Sequence, residues 1–115
     1  MRMDQLEWIN RCNEEISHAE KARSDGYEGK ARVCARRAAG IAIQAYFQRI
    51  NSGTTRPSAY EWLQALQKQP SLTIEISTII KHLLMRVDET FSLPPEIDLL
   101  QDTRQLIDYL QQQIE

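Results

Sequence analysis

The run over residues 28–50, EGKARVCARRAAGIAIQAYFQRI, constrains the fold more than any other part of the chain. Wound as a helix at about 100 degrees per residue, it places Ala31, Cys34, Ala35, Ala38, Ile41, Ala42 and Ala45 on one broad arc. Ile43, Phe47 and Ile50 form a second arc beside it, with Arg32 and Arg36 at the margin. Lys30, Val33, Arg37, Gln44 and Gln48 remain as the wet face. A helix apolar over more than half its circumference has to be packed on two sides. The small residues of the first arc let a neighbouring backbone come close. This helix is therefore expected at the centre of the fold, with other helices around it.

The neighbours follow from periodicity. Leu6, Ile9, Cys12, Ile16 and Ala19 recur at three- and four-residue steps, which predicts a first helix over residues 4–23, with Trp8 on the edge of its stripe. The turn SDGYEG stops it. The second helix takes over near Gly29 and ends before NSGTTRP at residues 51–57. Ser58 and Glu61, three apart, have the spacing of a capping box and start a short third helix that Pro70 ends, with Trp62 as a core or core-edge residue. SLTIEISTII is rich in β-branched residues and reads as a strand on propensity. Its apolar positions Leu72, Ile76, Ile79, Ile80, Leu83 and Val87 nevertheless keep helical spacing over four turns, so a helix is expected. A last helix starts near Pro95 or Asp98 and buries Leu99, Leu100, Thr103, Leu106, Ile107, Leu110 and Ile114. Short turns between such helices make the expected architecture all-α: a single domain over residues 1–115, a four-helix up-and-down antiparallel bundle with one additional short helix.

A chain of 115 residues can bury roughly two-thirds of its unfolded surface without staples. Cys12 and Cys34 lack metal-ligand spacing and read as reduced, buried thiols. With neither a leader nor an apolar run long enough to span a bilayer, the expectation is a cytoplasmic protein with no membrane partner. The formal net charge of −2 argues against a dedicated duplex-DNA binder, although a local basic patch can still act.

Such a patch exists. Lys21, Arg23, Lys30, Arg32, Arg36 and Arg37 gather where the first helix ends and the second begins. They form either a solvated shoulder paired to Glu20, Asp25 and Glu28, or an anion site in which Lys30, Arg32, Arg36 and Arg37 hold phosphate beside helix-terminal amides. No glycine-rich cradle and no preceding strand accompany them, which excludes a P-loop or a dinucleotide fold. The second apolar arc, Ile43, Phe47 and Ile50, is either more core or a partner surface with the arginines on its rim.

The stretch GKARVCARRAAGIAIQAYF resembles the second helix of HEPN domains (higher eukaryotes and prokaryotes nucleotide-binding), where a run rich in Ala and Arg ends in Tyr or Phe. The order of long and short helices is loosely similar over nearly the whole chain. The resemblance implies an up-and-down bundle that usually dimerises. It also implies one of two roles: a metal-independent ribonuclease, often a toxin, or a nucleotide- or substrate-binding companion of a nucleotidyltransferase. The ribonuclease role requires Arg, four to six residues, then His, near the end of the bundle. Arg104 begins RQLIDYLQQQ with no His after it, and His82 has no suitably placed Arg before it. The one formal match is Arg11 and His18, on the first helix, within about 20 degrees of each other on the wheel. That face also carries Asp4 and Glu15 and reads first as solvated surface.

Other chemistry is thinner. Two distant histidines without a Cys or carboxylate cluster make no metal site. Glu14–Glu15 and Asp88–Glu89 are adjacent and point to different sides of a helix. The functional expectation is a non-catalytic binding or interaction module without cofactors or metals. It is expected to be homodimeric, with a nucleotide, RNA or a nucleotidyltransferase as possible partners. The alternatives are a toxin-like ribonuclease using Arg11 and His18, and a plain helical adaptor unrelated to HEPN.

Overall fold

The computed structural model describes residues 4–50, 58–85, 94 and 96–114, and every regular element among them is a helix. They are α1 (Gln5–Ser24), α2 (Glu28–Arg49), α3 (Ala59–Gln67), α4 (Ile74–Leu84) and α5 (Leu99–Ile114). Three are long and two short. The fourth helix reaches about three turns rather than four, and Val87, assigned to it from periodicity, lies outside the described residues.

Local chemistry sets the helix ends. Asp4, Ser58 and Thr73 are N-caps whose side-chain oxygens accept from the amides of Glu7, Glu61 and Ile76. Asp98 accepts from the amides of Leu100 and Gln101 just ahead of α5. Such caps stabilise a helix by about 1 kcal/mol each. The α1–α2 turn is a Schellman closure: Gly26 donates to Arg23 O at 3.0 Å and Tyr27 to Ala22 O at 2.8 Å. It needs a left-handed residue, and Gly26 supplies φ 87° at no steric cost.

α2 is the centre. α1, α3 and α5 all pack on it, while α4 packs on α5 and α3. Its small-residue arc permits unusually intimate contacts. The Cys12 thiol of α1 donates to Ala38 O at 3.3 Å, and the buried Thr103 hydroxyl of α5 donates to Ala35 O at 3.4 Å. Burial pushes the Cys12 thiol up to about 12, so it stays protonated. Gly40 faces α3 so closely that a Cβ there would lie 2.9 Å from that of Ala59.

The seam of α1 is rotated from its expected position. Leu6 is 69% exposed, whereas Trp8, placed at the edge, is 1% exposed. The buried line is Trp8, Cys12, Ile16, Ala19 and Ala22. Burying the large indole removes more apolar surface from water than burying one leucine in a terminal turn. Its Nε1–H is satisfied locally by Gln5 Oε1 at 3.2 Å.

Candidate functional site

The basic residues that adjoin in sequence go to separate tasks. Lys21 pairs with Asp25 at 3.2 Å. Arg23 reaches Glu28 at 2.8 Å and Asp98 at 3.1 Å, tying the α1–α2 turn to the start of α5. The hydrogen bond from Arg23 holds Glu28 below its usual carboxylate range. Asp98 is also lowered: Arg23 and the amides of Gln101 and Leu100 outweigh partial burial, which pulls the other way. Arg32 lies 3.9 Å from Glu28.

Arg36 has a different role. Its guanidinium donates to Leu83 O at 2.8 Å and Met85 O at 3.1 Å, the orphan carbonyls at the end of α4. Burial lowers its pKa, and Arg32 adds to the effect. Lys30 sits exposed beside the α1–α2 turn. Of the expected anion-site residues Lys30, Arg32, Arg36 and Arg37, Arg36 is thus engaged at the end of α4 and Arg32 lies beside Glu28. The ends of α4 and α5, which no local pattern reveals, draw Arg36 and Arg23 into structural roles.

The expected partner face divides as well. Ile43 is 0% and Phe47 7% exposed, with Phe47 stacked on Trp62 at 5.7 Å. Both belong to the core, Phe47 against Trp62 of α3. Ile50 alone of the three is at the surface, 48% exposed.

Arg37 defines the site that remains. On α2, Arg37, Gly40, Ile41 and Gln44 fall at positions i, i+3, i+4 and i+7 and share one face. On α1, Arg11 and Glu15 stand one turn apart. With the N-cap Ser58 and with Ala59 and Trp62 of α3 they line an open cleft of about 320 Å³. Two guanidinium groups and one carboxylate thus line a hollow whose remaining wall is partly apolar. Glu15 Oε2 is buried with no hydrogen-bond partner among the described residues. Its other oxygen lies 3.8 Å from His18 Nδ1. Arg11 and Arg37 both line the cleft, and His18 is not among its lining residues.

Glu15 and Gln44 escaped sequence reasoning because both sit on faces that look solvated in their own helices, and only the tertiary fold sets them in one cleft. A second unread pair is His82 Nδ1 and Asp102 Oδ2, 2.8 Å apart between α4 and α5. They stand twenty residues apart in sequence, with no motif linking them. No group of three or more His, Cys, Asp or Glu among the described residues could hold a metal ion. No helix among them is long and apolar enough to cross a membrane.

Compared with known proteins, the chain matches no family model, no curated protein and no solved structure. The HEPN resemblance of residues 29–47 rests on those residues alone.

Proposed function

We propose that the chain is a non-catalytic helical binding module, built on the four-helix up-and-down plan of HEPN-like domains, that holds an anionic group in the α1–α2–α3 cleft. The observation that carries this reading is the setting of Arg37. It is exposed at the cleft, makes no ion pair among the described residues, and shares the cleft with a second arginine. A guanidinium fork matches carboxylate and phosphate oxygens two at a time, which favours such a ligand over a neutral one. A twin subunit or a separately encoded nucleotidyltransferase would dock elsewhere, on surface that includes Ile50 rather than Ile43 or Phe47.

Amide-resolved NMR titration with inorganic phosphate and with acetate tests the proposal. Shifts should centre on Arg11, Arg37, Gln44 and the first turn of α3, and should vanish in Arg37→Ala. Shifts confined to Lys30 and the α1–α2 turn, unchanged in that variant, would sink it.

A further inference from the structure

We propose that the anion held in this cleft is a monocarboxylate with a small apolar body, and not a dianion such as a phosphate monoester. This rests on the anion-binding reading and fixes both the ligand's charge and the nature of its remainder.

Charge decides the first part. The lining carries two guanidinium groups, Arg11 and Arg37, and one carboxylate, Glu15, a formal excess of one positive charge. Arg11 already has an interaction of its own, whereas Arg37 is exposed and makes none among the described residues. The cleft therefore offers one uncommitted guanidinium. Its planar fork meets both oxygens of one carboxylate, which satisfies charge and geometry together. A second negative charge on the ligand finds no cation left, and Glu15 in the same hollow repels it.

The walls decide the second part. Along α2 the lining runs from Arg37 through Gly40 and Ile41 to Gln44, about 10 Å further along the axis. The charged end thus gives way to an apolar strip and then to an uncharged amide. The strip is rigid. Gly40 and Ala59 lie so close that a Cβ on the glycine would come within 2.9 Å of the alanine's, and Trp62 is fixed by stacking on Phe47 at 5.7 Å. Preformed apolar walls favour an apolar body and offer it no second charge. The volume, about 320 Å³, lies at the lower end of small-molecule sites, roughly 300–1,000 Å³, and suits a small acid held by one end.

Calorimetry and ligand-observed NMR on the full chain decide the matter, at about pH 8, where a phosphate monoester carries two charges. The probes are small aliphatic and aromatic monocarboxylates, each set beside the carboxamide and the phosphate monoester of the same body. Benzoate, benzamide and phenyl phosphate form one such set, and acetate supplies the charge with almost no body. Expected is at least one acid that binds about tenfold or more tightly than acetate and than its own carboxamide, and about threefold or more tightly than its phosphate counterpart. Glu15→Gln should narrow the gap to the phosphate, and Arg37→Ala should remove binding of the acid. A phosphate ester that matches its acid, or acetate that matches the best acid, overturns the monocarboxylate while leaving the anion site standing. Carboxamides that bind as tightly as their acids, or no binding by any anion of the panel, overturn both. The probe comparison uses the wild-type chain and does not depend on how a variant folds.

Discussion

Replacing Gly40 with alanine sets two known effects against each other in one residue. In the interior of a 22-residue helix, glycine is about 1 kcal/mol worse than alanine, so propensity alone makes Gly40→Ala stabilising. The structure opposes this gain. The new Cβ would meet Ala59 Cβ at 2.9 Å and Ala59 Cα at 3.0 Å, against an optimal carbon–carbon separation of about 3.5–4.0 Å. Neither neighbour is the end of a flexible side chain, so α3 as a unit has to retreat. Overpacking of this kind costs about 1–3 kcal/mol. The net expectation is a loss of about 1 kcal/mol, from near zero to about 2. Urea unfolding followed by far-UV circular dichroism measures it, with fluorescence of the two buried tryptophans, Trp8 and Trp62, as a second probe. Gly29, second in the same helix, has nothing within 4 Å of a Cβ. Gly29→Ala is therefore the unclashed control and should raise stability or leave it unchanged. Gly40→Ala combined with Ala59→Gly removes the 2.9 Å contact but keeps the 3.0 Å one, so it should recover only part of the loss. A Gly40→Ala chain more stable by the full 1 kcal/mol of helix propensity would mean that α3 does not lie on α2 at this point.

Arg36→Ala should cost about 2 kcal/mol, since two hydrogen bonds from a charged donor to the end of α4 disappear. Amide hydrogen exchange should show protection lost first in α4, and a uniform loss across all helices would contradict the capping role. Acid should loosen the Arg23 cluster. Glu28 and Asp98 have pKa values below those of the unfolded chain, so their stabilisation is present above the unfolded values, near 4. It is lost as pH falls through the lower folded values. Arg23→Gln should therefore lose stability at pH 7 and converge on wild type once the pH has fallen below the folded-state pKa values of Glu28 and Asp98, as followed by thermal unfolding across pH.

What the residues declare by themselves is local. The three- and four-residue periodicity of apolar side chains specifies helices even over SLTIEISTII, where β-branched propensity argues otherwise. Ser58 marks its own cap, and Gly26 marks the stop between α1 and α2, because each acts through backbone atoms a few positions away. The small arc of α2 likewise announces close packing, since an alanine surface has little else to offer a neighbour. What a helix meets on its other faces is a different kind of fact. A wheel leaves Ile43 and Phe47 open and sets Leu6 in the seam, but tertiary packing buries the first two, Phe47 against Trp62 of α3, and the larger indole of Trp8 displaces the third. Arg36 looks like a ligand-binding residue until the end of α4 comes within 3 Å of it. His82 meets Asp102 only because α4 and α5 lie side by side. The cleft at Arg11, Glu15 and Arg37 belongs to the same class. Three helices must converge before two arginines and a half-satisfied carboxylate share one hollow, and long-range contact of that sort is written in no single stretch of sequence.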